Sequence, residues 1–276
     1  MARHVRRGNP SKLTKRQHVL ARKSVERFAG ADGRVEVWFR EHGEVQRCRP
    51  DHSTFWTYRA WDQPSERNTE RQIEGPFQAL AETILKGKRQ LFSEDQRLIT
   101  RFQQLWALRF AVKEYPRTDV GLPSGVPPGR ELTQAERENL EANNYSFVTG
   151  SRLPGPQLAG LLINAGLLRL ARSEAANTEW SVVESHQIEF VVPDSFRTIR
   201  TVPLSPKCCL MAIPGGAREL SPFEAMHVNN MAVLQCVHYA FARDFTKTGV
   251  AFPIPPHAQP SRRTEGKEPT GSRARG

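Results

Sequence analysis

The 276-residue chain has little cysteine and no long apolar run, and each shortage excludes something. Cys48, Cys208, Cys209 and Cys236 are too few to staple a fold of this size, and no secretory signal stands before them. A reducing, cytoplasmic setting is therefore expected. Adjacent Cys208 and Cys209 lack the spacer that lets two thiolates face one zinc ion, which leaves them the role of small buried hydrophobes. The longest apolar stretch, Leu158 to Ala171, is broken by Asn164 and Arg169 and is too short for a bilayer, so no membrane partner is expected. Also missing are a phosphate-cradling glycine loop, a dinucleotide fingerprint, a nucleophile elbow and a His-Glu-x-x-His pair. P-loop hydrolysis, Rossmann redox chemistry and zincin proteolysis are thereby disfavoured, and no organic cofactor is expected.

What the chain does have is charge, unevenly placed. Its formal net charge is +11, yet residues 1–27 hold nine Lys and Arg against Glu26 alone, and residues 257–276 hold five against Glu265 and Glu268. The body between sums to zero. This predicts a disordered basic arm over 1–13, one globular domain over 14–252, and a disordered Pro/Gly/Arg-rich tail over 253–276. A basic arm on a neutral body suits a polyanion such as DNA or RNA, because neutralising phosphates releases counterions. Arg6, Arg7, Lys12, Lys15 and Arg16 are the expected contacts. A merely solubilising arm fits the same charges, whereas an organelle transit segment would need an apolar stripe that is lacking here.

Hydrophobic periodicity predicts an α+β fold: a helix-rich single domain with antiparallel hairpins packed against a helical hairpin and a long C-terminal helix. Thr14 to Phe28 reads as a helix. Arg34–Arg40 and Val45–Arg49 read as a hairpin, with Val35, Val37 and Phe39 on one face. Phe55, Trp56, Tyr58 and Trp61 fall in an irregular stretch, wedged on the core or stacked on bases of a single strand. From Glu70, Ile73, Phe77, Leu80 and Ile84 recur at helical spacing, and a second helix runs from Glu94 through Phe110 to complete an antiparallel pair. Residues 116–130 read as a loop, Thr133 to Glu136 as a capping box, and Leu158–Leu170 as a buried helix. Trp180–Glu184 and Ile188–Val192 suggest a second hairpin, joined by a strand over Cys208–Ile213. Ser221-Pro222-Phe223-Glu224 caps a helix expected to reach Asp244.

Gln17-His18-Val19, Phe28-Ala29-Gly30, Ile73-Glu74, Val192-Pro193-Asp194, Pro203-Leu204-Ser205-Pro206 and Asn229-Asn230 occur in that order. In this the chain resembles the uncharacterised bacterial domain of unknown function 4238, over about residues 14–244. The pattern has Tyr where Val19 stands, Pro where Ala21 stands and Pro where Phe196 stands. The resemblance implies a layout and singles out His18, Glu74 and Asp194, and it implies no activity, because a family label is not a mechanism.

One His and two carboxylates on separate elements are enough to hold Mg²⁺ or Mn²⁺ at a phosphate, with His227 moving a proton. That reading makes the chain a nucleic-acid-directed, metal-dependent hydrolase. The plainer account has His18 capping backbone groups, Glu74 as a solvated helix charge and Asp194 opening a turn. His227 and Asn230 share a face of the last helix with Leu234 and His238, aimed at a cleft or packed into the core. Arg101, Arg109 and Lys113 are further candidates for meeting phosphate. Two other readings stand beside the enzyme: a non-catalytic nucleic-acid-binding or complex-forming protein working through its arm, and a structural protein with no nucleic-acid role.

Overall fold

Gln17 shows why the first expected helix is mostly absent. A computed structural model of the chain describes residues 5–173, 178–195 and 200–252. In it the fully buried Gln17 side chain donates to the Trp61 carbonyl (3.0 Å) and accepts from the Trp61 N–H (3.2 Å). Those bonds hold residues 16–18 extended. Strand β1 (Arg16–His18) accordingly pairs antiparallel with β4 (Trp56–Tyr58), and helix is confined to α1 (Arg22–Glu26). Tertiary bonds here override a helical pattern that local sequence favoured.

The first hairpin forms as expected, with β2 (Val35–Phe39) against β3 (Glu44–Cys48) and Gly43 at positive φ in the turn. Asp62 caps α2 (Gln63–Thr69), accepting from the Ser65 N–H at 3.1 Å. A π-helical turn, Glu70–Glu74, then joins α2 directly to α3 (Gly75–Leu85). Helix α4 (Ser93–Glu114) returns antiparallel: Phe77 stacks on Phe102 at 3.6 Å between centroids, and Glu74 reaches Arg109 farther along. The expected helical hairpin is therefore present. Beyond a short strand, β5 (Val120–Gly121), the capping box at Thr133 opens α5 (Gln134–Ala142). Strand β6 (Arg152–Leu153) pairs with β5 and leads into α6 (Gly155–Ala171). Helix α6 buries Ala159, Ile163 and Leu167 while Leu161, Leu162 and Leu168 stay exposed, so it is half-buried rather than buried.

The second expected hairpin does not form. Strand β7 (Ser181–Glu184) pairs instead with β10 (Cys208–Met211), and β8 (Val192–Pro193) crosses to another sheet. Strand β10 also pairs with β9 (Thr201–Ser205), and β11 (Arg218–Glu219) joins β7 in parallel. The segment between β7 and β8 is claimed by Asn229, whose side chain accepts from the Val191 N–H and donates to the carbonyls of Glu189 and Thr248. Helix α7 (Pro222–Gln235) starts at the expected cap and stops well short of Asp244. It stops because the Asp194 carboxylate accepts from the N–H groups of Val237, His238 and Tyr239 at 2.7–3.1 Å. These bonds turn the chain into β12 (Tyr239–Ala242), which lies between β2 and β8. The C-terminal helix is thus shorter than expected and is followed by a central strand.

The two four-stranded sheets, ordered β3-β2-β12-β8 and β11-β7-β10-β9, are each packed on both faces. Val35, Val37 and Phe241 join the main core with α3 and α4, whereas Trp38, Ala240 and Ala242 form a second cluster with Val233 of α7. Cys208 belongs to the main core and Cys209 to a third cluster with Leu220 and Val228. Alternation along a strand sends the adjacent thiols to opposite faces, so both serve as the small buried hydrophobes expected of them. The architecture is α+β with largely antiparallel sheets.

The N-terminal segment is not a free arm where it is described. The Arg6 backbone N–H donates to Glu138 Oε1 (2.6 Å) and its guanidinium to Oε2 (2.9 Å), while Leu13 is buried and the Thr14 N–H donates to Gln63. Residues 1–4, and the expected tail over 253–276, lie outside the described residues.

Helices α2 and α6 touch at Gly160, where a Cβ would meet Asp62 Oδ1 at 2.2 Å, and that contact seals Asp62 from water. Burial pushes its carboxyl up to about 6 against the lowering by Ser65 hydrogen bonds, with Glu141 adding to the rise. A raised folded pKa means that the native state holds the proton more tightly than the unfolded chain. Stability from this group is thus full below about pH 4, falls as pH rises through about 6, and stays lowered above. Asp62→Asn keeps the cap and removes the penalty. The variant is expected to exceed the parent by about 1–3 kcal/mol at pH 8 and to match it near pH 4 in urea unfolding. A difference that does not change with pH would show that Asp62 is not the group responsible.

Candidate functional site

The π-helical turn lies on a pocket rich in ionisable side chains. Such turns interrupt the α-helical ladder at a cost and occur often at functional sites. Glu66 of α2, Glu70 and Glu74 of the turn, Gln78 and Glu82 of α3, and Arg109 of α4 line one pocket of about 540 Å³. Its opposite wall comes from β1 and α1 and carries Arg16, His18, Arg22 and Lys23.

Arg109 organises the inner wall. It is 2% exposed and donates to both oxygens of Glu74 (2.8 and 2.9 Å), to Glu66 (3.0 Å), to the Thr69 hydroxyl (3.0 Å) and to the His18 carbonyl (3.2 Å). Its guanidinium also lies over the Trp61 ring, 5.0 Å from the centroid. Arg109 Nε is buried without a hydrogen-bond partner. Burial raises the Glu66 carboxyl, and Arg109 opposes that rise. Trp61 donates its indole N–H to Glu66 at 2.6 Å. The Glu70 side chain is exposed and makes no hydrogen bond or salt bridge among the described residues, although its charge acts on Arg109 and Glu66.

His18 is half-buried on the same pocket, and its Nε2 is buried without a hydrogen-bond partner. Burial lowers its pKa below the ordinary imidazole value, against an opposing pull from the Pro50 backbone. It is therefore a neutral imidazole with an open ring nitrogen at pH 7.

The expected ligand set is only partly assembled. His18 and Glu74 share this pocket, but Asp194 lines a different and smaller one of about 240 Å³ beside Trp106, Phe110 and Glu114. Its carboxylate is occupied by the three N–H groups that end α7, so Asp194 shapes the chain and does not complete the triad. No three His, Cys, Asp or Glu side chains gather as a metal-holding group among the described residues. His227 is exposed on α7 and lines neither of these pockets. His238 lies past the end of α7, bonded to Glu114 at 2.6 Å, so the expected shared face of His227, Asn230, Leu234 and His238 is not a helix face throughout. Among the remaining candidates, Arg109 meets carboxylates rather than solvent, and Lys113 donates to the Thr54 carbonyl. Phe55 and Trp61 are core residues, while half-buried Trp56 carries the Arg16 guanidinium 5.0 Å from its ring centroid.

Glu66, Glu70, Arg22 and Lys23 were not singled out from sequence. The signal for the acids was readable in part: Glu66, Glu70 and Glu74 recur every four residues, so each adjacent pair lies side by side on a helix. No family model, curated protein or solved structure matches the chain.

Removing one member of a buried ion network leaves the others uncompensated. Arg109→Met is expected to lose roughly 3–5 kcal/mol of stability at pH 7, read from the urea midpoint. A loss under about 1 kcal/mol would mean that Glu66 and Glu74 reach water without it.

Proposed function

We propose that the chain is a nucleic-acid-binding protein that holds a phosphate backbone along residues 7–23 and leads it to the mouth of the Glu70–Glu74 pocket. The observation that carries this reading is the run of exposed cations Arg7, Lys12, Arg16, Arg22 and Lys23 over β1, α1 and the segment before them. The last three also line the pocket. Lys15 is half-buried within the same run, and Arg6 is tied to Glu138 and contributes least. Arg22 bonds to Glu26 at 2.7 Å, an exposed pair that a phosphate displaces at little cost.

Five contacts of this kind imply a salt dependence with a log–log slope of about −4.5 on duplex DNA. Changing Arg16, Arg22 and Lys23 together to Gln is expected to flatten that slope by about 3 and to leave the fold intact. Salt-insensitive binding by the parent chain would defeat this reading.

A second reading, hydrolysis of the bound strand, is favoured by the neutral His18 with its open Nε2. There His18 and Glu74 are the protein ligands of Mg²⁺ or Mn²⁺ without Asp194, since Mg²⁺ commonly takes one or two carboxylates and completes its shell with water and phosphate. Incubation of the chain and of His18→Ala with labelled single- and double-stranded DNA and RNA separates the readings. Metal-dependent cleavage lost in the variant makes the protein a nuclease. Retention without cleavage leaves the binding protein.

A further inference from the structure

We propose that the Glu70–Glu74 pocket receives the guanine base of a nucleotide whose phosphate rests on Arg16, Arg22 and Lys23. The proposal rests on the nucleic-acid reading above and assigns its ligand. A pocket of about 540 Å³ lies in the range of small-molecule sites. Its two signs of charge are separated: the side chains of Glu66 and Glu74 are 13% exposed on the inner wall, and the three cations are exposed at the mouth. A simple anion would find the cations but also a wall of carboxylates. A nucleotide has the opposite polarity at its two ends, with phosphate outside and base N–H donors inside.

Carboxylates accept only, and they accept best from two parallel donors. Guanine presents N1–H and N2–H side by side and carries the O6 acceptor next to them. Uracil presents one N–H between two carbonyl oxygens, which a carboxylate repels. Glu70, whose side chain makes no hydrogen bond among the described residues, is the acceptor for the two donors, and each oxygen of Glu74 accepts one Arg109 bond and retains a second lone pair. Arg109 lines the same pocket, and its positive charge favours an oxygen such as O6 there over a further N–H donor. The π-helical turn is what puts Glu70 and Glu74 on this wall.

Calorimetric titration of the full chain with guanosine 5′-monophosphate, uridine 5′-monophosphate and inorganic phosphate tests the assignment. The guanine nucleotide is expected to bind at least about tenfold tighter than the uracil nucleotide, with phosphate weakest. Glu70→Gln, at an exposed position with no side-chain hydrogen bond, is expected to bring the two nucleotides within a few-fold while the circular dichroism spectrum is unchanged. Equal affinities for the two nucleotides would overturn the assignment, as would absent nucleotide binding by a chain that still binds DNA or RNA in a salt-dependent way. Loss of nucleotide and of nucleic-acid binding alike would remove the parent reading too.

Discussion

The guanidinium of Arg109 is the group around which the helical half of the protein is arranged. A charge at 2% exposure costs several kcal/mol unless it is paired and its donors are met. Here the partners come from α2, the π-helical turn and β1, so satisfying one side chain on α4 fixes the positions of three other segments. Eight residues of regular α-helix would rotate Glu74 about 80° past Glu66, off the face that Arg109 sees. A wider turn takes back part of that rotation. The π-helical segment at Glu70–Glu74 is thus the local distortion that lets two carboxylates of one continuous helix reach a single arginine.

The same arrangement governs the electrostatics of the pocket. Arg109 compensates the inner acids, so their carboxylates tolerate burial, and this leaves the outer cations of β1 and α1 unneutralised by them. Without it, Arg16, Arg22 and Lys23 would face a wall of uncompensated negative charge. The N-terminal segment follows a related logic at α5, where Glu138 takes Arg6 and Glu141 takes the buried Arg59 at 2.7 Å. The basic excess of the sequence is therefore partly spent inside the fold, and only the remainder faces outward.

Elements whose cause is local were legible in the sequence. The capping boxes at Thr133 and Ser221, the alternation of Val35, Val37 and Phe39, and the helical spacing of Ile73, Phe77, Leu80 and Ile84 each depend on neighbours a few residues away. The misread elements depend on a distant side chain. Gln17 holds β1 extended through Trp61, Asp194 ends α7 through Val237 to Tyr239, and Asn229 draws Val191 away from β7. Each is a buried amide or carboxylate that satisfies backbone groups 38 to 45 residues away in sequence, which periodicity cannot register. The candidate site divides along the same line. Glu74 and His18 do share a pocket, while Asp194, singled out with them by the family resemblance, has its carboxylate taken up by backbone groups that the sequence does not reveal.

That division bears on how polar residues in such a chain should be weighed. Asp194 and Asn229 are as buried as the pocket residues and as rich in hydrogen bonds, but every bond they make is to the protein's own backbone. Such a residue has completed its task on folding. Arg109 Nε, His18 Nε2 and Glu70 differ because capacity is left over after folding: a donor and a lone pair buried without partners, and a carboxylate that makes no hydrogen bond among the described residues. For the two buried atoms unused hydrogen-bonding capacity is a standing free-energy cost, whereas the exposed Glu70 carboxylate is solvated and only free to accept. The asymmetry between satisfied and unsatisfied polar groups, more than their number or charge, is what separates the pocket at the π-helical turn from the rest of the buried polar network.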